Sequence, residues 1–356
     1  PDSQKNFTFL QEKLKTPFAI CSRDSKNEVW IVASYSAMRP THYYRYHSSE
    51  QRLQFLWSAE PALDKYELCT VQPISFESRD GMMLHGYLTL PKEKKSEKLP
   101  TILLVHGGPC IRDTWDYNPE VQWLANRGYA VLQVNFRGSA GYGHRSAGNR
   151  EWGRKMHKDL LDAKEWIITQ GIADPERVAL FGASYGGYAT LAGLAFTPDE
   201  FCCGVAIAGP SNLITMLETM PTYWSTSAGI LSYTVGSLET GRTMLQERSP
   251  LFKAHQIKKP LLIAHGSNDV RVKQAESDQI VQAMRSNNLT VEYILFPDEG
   301  HTFTKQANRF HFYKRAEKFL DTHMQEPKKC DLDYCEILDV IVLPRTSKNA
   351  EVENKL

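Results

Sequence analysis

Gly182-Ala183-Ser184-Tyr185-Gly186 sets one hydroxyl between two glycines, directly after the apolar run Arg177 to Phe181 and before a helical stretch near 185 to 196. Glycine on both sides permits a very tight strand-to-helix turn. In such a turn the serine hydroxyl stands clear of the backbone, and the amides of the helix start face any negative charge that develops beside it. Serine between glycines is also an ordinary turn composition, so the pentapeptide alone decides little. Two further residues change its weight. Asp269 follows the apolar run Leu261 to His265 through Gly266-Ser267-Asn268, and His301 follows Val291 to Phe296 through Pro297-Asp298-Glu299-Gly300. Serine, aspartate and histidine in that chain order, with acid and base in loops after successive later strands, form a set able to transfer acyl groups.

The roles follow from acidities. A serine hydroxyl is protonated at neutral pH, so its attack on a carbonyl needs a base whose pKa lies near the working pH, and His301 is of that type. A buried carboxylate accepting from the other imidazole nitrogen selects the tautomer and stabilises the imidazolium. Asp269 is expected in that role, with Asp298 as a rival three residues before the histidine, although a loop-capping role suits Asp298 better. The oxyanion of the intermediate needs donors. The amide of Tyr185, next after the nucleophile, is expected to be one. His106-Gly107-Gly108-Pro109 ends the first central strand and is expected to supply the other at the Gly108 amide, with Gly107 as the alternative. His106 itself reads as a residue shaping that turn, and the remaining histidines, His265 among them, as packing or surface residues.

Elements that would hold these residues are visible from Thr101 onward, where strands alternate with helices. Strands are expected at Thr101 to His106, Ala130 to Asn135, Arg177 to Phe181, Gly204 to Ala208, Leu261 to His265 and Val291 to Phe296. Helices are expected near 156 to 170, 185 to 196, 273 to 286 and 306 to 323, each with apolar residues at three and four residue spacing. The alternation predicts an α/β protein of the α/β-hydrolase kind, with a mostly parallel central sheet and helices on both faces. In such a sheet the loops after the strands converge at one edge, which is where Ser184, Asp269 and His301 would meet.

Before that body, short aromatic and β-branched runs at Phe18 to Ser22, Glu28 to Tyr35, His42 to His47 and Leu53 to Ser58 predict a small four-stranded antiparallel sheet, like one blade of a propeller. A hairpin-like pair, Pro73 to Glu77 and Met83 to Leu90, follows it. The expected organisation is a β-rich segment over 1–70, a catalytic domain over 71–325 and a tail over 326–356. Residues 210 to 250 break the alternation with an aromatic-rich insertion containing Pro221-Thr222-Tyr223-Trp224, suited to roofing a site.

Composition excludes several classes. Lys plus Arg number 42 against 41 Asp plus Glu, with no long block of one sign, so a nucleic-acid partner is not expected. No apolar run approaches the roughly 20 residues that span a bilayer, so no membrane association is expected. Seven cysteines form an odd set without disulfide-scaffold or zinc-finger spacing, which predicts reduced thiols and a cytoplasmic setting. Cys330 and Cys335 in the tail lack the histidine or further cysteine that would complete a four-ligand site, so no metal is expected there. The triplets at Asn6 and Asn288 carry meaning only in a secreted protein. A first residue of Pro1 rather than Met predicts a start partway through a longer product.

With its motifs assembled, the chain from about Val71 to His323 resembles the catalytic domain of the prolyl oligopeptidase family, in its acylaminoacyl-peptidase and dipeptidyl-peptidase-like branch. The stretches that carry the likeness are Val105 to Pro109, Asn135-Phe136-Arg137-Gly138-Ser139-Ala140-Gly141-Tyr142-Gly143, Gly182 to Tyr188 and Pro297 to His301. The resemblance implies a serine peptidase of short peptides, needing no cofactor, under a β-propeller of which residues 18 to 70 resemble the last blade. It further implies that Arg271 binds a substrate carbonyl, that Val272 borders the pocket for the residue before the scissile bond, and that Tyr188 and Trp224 line it. A surface ion pair for Arg271 and plain packing for Trp224 remain the alternatives. Arg137 matches the family as well and reads as a scaffold ion pair. Homo-oligomerisation is expected by likeness only. Two other functions stay open: a carboxylesterase using the same triad, and a non-catalytic binding or assembly module.

Overall fold

A computed structural model of the chain describes residues 2–92, 97–221 and 228–324. Trp224 and the tail with Cys330 and Cys335 lie outside the described residues.

The chain starts with a helix that the sequence reading did not anticipate, α1 (Asp2–Leu14). Its polar composition hides a narrow stripe at i, i+3, i+4 and i+8: Asn6, Phe9, Leu10 and Leu14. Leu10 is wholly buried against Trp30, Val32 and Tyr46 of the sheet beneath it, and the Tyr46 hydroxyl donates to Asn6 Oδ1 at 2.8 Å. That sheet has four antiparallel strands in chain order, β1 (Phe18–Arg23), β2 (Val29–Ser34), β3 (His42–His47) and β4 (Arg52–Ser58). The helix covers one face; on β4, Phe55 and Trp57 stay 49% and 38% exposed.

The second sheet has eight strands: β5 (Val71–Glu77), β6 (Met83–Thr89), β7 (Leu99–Val105), β8 (Ala130–Asn135), β9 (Ala173–Ala183), β10 (Gly204–Ile207), β11 (Leu261–Gly266) and β12 (Val291–Phe296). Their order is β12-β11-β10-β9-β7-β8-β6-β5. All pairings from β12 to β8 are parallel, and β6 pairs antiparallel with both β8 and β5. β9 begins at Ala173, four residues before the expected start, because Leu99 pairs with Ala173 across an irregularity in the β7–β9 ladder.

Alternation along β7 shows how both faces are filled. Leu103 and Val105 join one buried cluster, with α3 (Lys155–Thr169) and α4 (Tyr185–Phe196), while Ile102 and Leu104 join the other, with α2 (Pro119–Asn126). Three short helices follow, α5 (Leu213–Glu218), α6 (Ala228–Thr234) and α7 (Arg242–Glu247), in the expected insertion. α8 (Ala275–Ser286) packs on the α3 face and α9 (Gln306–Met324) on the α2 face. α2 was not expected either, although Asn118 caps it by accepting from the amides of Glu120 and Val121, with Pro119 in the first turn. Buried Gln122 of α2 ties the two sheets together. Its side-chain nitrogen donates to the Ala37 and Cys69 carbonyls at 3.1 and 3.0 Å, and its oxygen accepts from the Cys69 amide at 2.8 Å.

Candidate active site

Ser184 stands at the end of β9, where φ is 59° and ψ −117°. A non-glycine residue is strained there and persists only where its surroundings over-determine the turn. The surroundings do so. The first turn of α4 presses onto the end of β7 so closely that a Cβ at Gly186 would overlap the Val105 carbonyl oxygen, and the Ser184 amide donates to the Ile207 carbonyl at 2.8 Å. Gly107, just past β7, lies against the same turn: a Cβ there would stand 3.6 Å from Ser184 Cβ. Gly108 takes a φ of 109°, open to glycine. The amides of Tyr185 and Gly108 therefore belong to backbone that borders the serine on two sides.

Two strands further along the same sheet edge, Asp269 follows β11, and His301 follows β12. Asp269 Oδ2 lies 2.6 Å from His301 Nδ1. Its Oδ1 accepts from the Arg271 and Val272 amides at 2.8 and 3.0 Å. Burial alone would raise the pKa of this carboxyl, but hydrogen bonds from His265, His301 and the Val272 amide outweigh it and hold the group well below the usual carboxylate range. With a carboxylate against Nδ1, that nitrogen carries the hydrogen of a neutral His301, leaving the Nε2 lone pair to accept a proton.

His265 is not a bystander to this arrangement. It is fully buried; its Nε2 lies 2.9 Å from the Val272 carbonyl and 3.5 Å from Asp269 Oδ2, and its Nδ1 2.7 Å from Ser277 Oγ. A carbonyl can only accept, so Nε2 carries the ring hydrogen and Nδ1 accepts from Ser277. Asp298 lies elsewhere: its exposed carboxylate meets Lys305 Nζ at 2.6 Å and Asn308 Nδ2 at 2.9 Å. The next residue, Glu299, is 1% exposed and accepts from the amides of Thr304 and Lys305 and from Asn308 Nδ2. Sequence reasoning passed over Glu299; a glutamate just ahead of the amides that open a helix was the available signal.

The other named residues differ in what they present. Arg271 is exposed and, among the described residues, has no carboxylate within ion-pair distance. Val272 is 7% exposed. Tyr188 is 1% exposed and donates its hydroxyl to the Arg248 carbonyl at 2.8 Å, a packing position that offers a substrate almost no surface. Trp152, which sequence reasoning did not single out, meets Tyr185 edge-on at 4.6 Å. Arg137 is the scaffold ion pair expected of it and has a second partner: it binds Asp159 at 2.6 Å and Asp80 at 2.7 Å while 3% exposed.

A serine elbow above a mostly parallel sheet, with acid and histidine in later loops of the same edge, defines the α/β-hydrolase fold. The chain belongs to the prolyl oligopeptidase family, whose model matches residues 115–327. It is 51% identical to dipeptidyl aminopeptidase BIII of Pseudoxanthomonas mexicana over 85% of this chain and 45% of that protein. It is 44% identical to dipeptidyl peptidase family member 6 of Caenorhabditis elegans, over 85% of this chain and 44% of that one. Among solved structures, a Mycobacterium tuberculosis puromycin-hydrolyzing peptidase superposes with a TM-score of 0.77 at 26% identity, over 85% of this chain and 46% of that one. The acylaminoacyl peptidase of Pyrococcus horikoshii gives 0.74 at 25%, over 90% and 52%. The chain thus spans about half the length of the curated relatives it matches. Among the described residues no helix is long and apolar enough to cross a membrane.

Proposed function

We propose that this chain is a serine peptidase that hydrolyses short peptides at aminoacyl or acylaminoacyl bonds. Ser184 Oγ attacks the scissile carbonyl while His301 Nε2 takes its proton, and Asp269 holds the imidazolium that forms. The Tyr185 and Gly108 amides receive the oxyanion. His301 then passes its proton to the leaving amine, and on the return step takes one from the water that attacks the acyl-enzyme, freeing the acid and Ser184. Arg271, exposed two residues beyond Asp269, is assigned to a substrate carbonyl, and Val272 and Trp224 to the pocket for the residue before the scissile bond; Tyr188 backs that wall through Tyr185. The catalytic unit is read as residues 71–325. No cofactor takes part in these steps.

The observation that carries this reading is the 2.6 Å contact between Asp269 Oδ2 and His301 Nδ1 at the same sheet edge as the strained Ser184. The peptidase relatives support the substrate class. Free thiols at Cys21, Cys69, Cys110, Cys202 and Cys203 support a cytoplasmic setting. The test is labelling by a fluorophosphonate beside Ser184→Ala, followed by turnover of free and acetylated aminoacyl anilides and of a nitrophenyl ester. Labelling with anilide cleavage, both lost in Ser184→Ala, is the expected result. Ester turnover without anilide cleavage would replace the peptidase by an esterase, and peptidase activity persisting in Ser184→Ala would sink the reading.

A further inference from the structure

His106 takes no part in the proton transfers above, yet it is buried against the turn that carries the Gly108 amide. Its Nδ1 lies 2.8 Å from the Gly107 carbonyl oxygen and its Nε2 2.8 Å from Ser139 Oγ. Burial pushes its pKa down to about 4, so the ring is neutral at neutral pH and holds one hydrogen. The Gly107 carbonyl can only accept, which puts that hydrogen on Nδ1. Nε2 is then an acceptor, and the Ser139 hydroxyl donates to it. The ring itself is clamped, stacked on Phe136 at 4.4 Å and 15°, and Phe136 in turn lies 5.2 Å from the Tyr185 ring.

The carbonyl that His106 holds belongs to the same peptide unit as the Gly108 N–H. That unit is trans, and in a planar trans peptide the C=O and N–H point in opposite directions. Fixing one fixes the other. Two glycines flank the unit, so without an outside hold its plane could rotate with little steric resistance. A hydrogen bond accepted by the carbonyl also polarises the peptide and makes its N–H a stronger donor.

We propose that His106 is the positioning residue of the oxyanion hole: by donating to the Gly107 carbonyl it aims and strengthens the Gly108 N–H, and Ser139, donating to Nε2, supports the tautomer that lets it do so. Three further contacts hold the same loop in place. The Asn135 side chain accepts from the Asp113 amide at 2.8 Å and donates to its carbonyl at 3.1 Å, and the Ala140 amide donates to the Ile111 carbonyl at 3.0 Å. The segment from Asn135 to Ala140 is thus the platform on which the oxyanion loop rests. The inference depends on Ser184 being the nucleophile.

The experiment uses the whole chain and compares wild type, His106→Leu, His106→Asn and Ser139→Ala by the rate of fluorophosphonate labelling, by kcat and KM on a nitrophenyl ester, and by melting temperature. Leucine fills space without donating. Asparagine carries an N–H on the same atom that bears Nδ1 in histidine, so it is the variant that restores the bond. His106→Leu is expected to lower kcat and the labelling rate about tenfold to a hundredfold at unchanged KM, since loss of an oxyanion donor costs up to about a thousandfold. His106→Asn should recover most of that rate, and Ser139→Ala should show a smaller loss of the same kind. Equal rates in wild type and His106→Leu would overturn the proposal, as would equal losses in the leucine and asparagine variants at unchanged melting temperature. Should His106→Leu not fold, Ser139→Ala decides alone, and an unaltered kcat in it counts against the proposal. Wild type that does not label refutes the nucleophile itself, a failure distinct from these.

Discussion

The Asn268 amide donates to the Glu299 carbonyl at 2.8 Å, tying the loop that carries Asp269 to the loop that carries His301. Beside this bond the loops press together at Gly266, where a Cβ would overlap the Gly300 carbonyl oxygen. The spacing of Asp269 and His301 is therefore a property of one joined structure, braced from within by the buried Glu299 side chain.

Glu299→Ala removes a buried acceptor shared by the Thr304 and Lys305 amides and Asn308, so the loop loses the bonds that tie it to the start of α9. Stability should fall by about 1–3 kcal/mol, read by urea denaturation, and kcat should fall with it because His301 loses its brace. Loss of neither would mean that the loop holds itself.

Arg137→Ala should be among the most damaging changes away from the serine. Asp159 is fully buried, burial already raises its pKa against the pull of Arg137, and the variant leaves it without the guanidinium that neutralises it; removing one partner of such a pair costs about 3–5 kcal/mol. Arg137→Lys cannot make the paired contacts to both Asp159 and Asp80 and should recover only part of the loss in a thermal melt.

Asp113 gives a pH signature. Burial pushes its carboxyl up to about 7, against a donated bond from Gln133 that pulls the other way, and its Oδ2 has no partner among the described residues. A carboxyl raised in the folded state from about 3.9 unfolded favours folding fully below the lower value, and that contribution is lost as pH rises through about 7. Glu120, also raised to about 7 chiefly by burial, acts in the same direction. Asp113→Asn should be more stable than wild type at pH 8 and lose that advantage at pH 4. A pH-independent difference would show that Asp113 ionises normally.

Arg271→Ala should leave the melting temperature within about 1 °C, as expected of an exposed side chain without an ion pair among the described residues, and raise KM for anilide substrates with kcat little changed. A fall in kcat at constant KM would instead make Arg271 a group that acts only in the transition state.

Residues whose role follows from short-range pattern were legible before any fold was known. The elbow glycines, each apolar strand and each loop that follows it are read from a few neighbouring residues, and the 2.0 and 3.6 periods of strand and helix are local properties. The parallel sheet could be argued for the same reason. α1 escaped because it is mostly polar with only a narrow apolar stripe, and α2 because it is short, so packing on a sheet, rather than their own pattern, makes them helices. Asp269 was the expected partner of His301, and its rival Asp298 lies against Lys305 and Asn308 instead. The hold of His106 on the Gly107 carbonyl, the brace of Glu299 and the second partner of Arg137 were invisible. Each joins atoms through the turning of loops in space, and side-chain direction in a loop is decided by what packs around it.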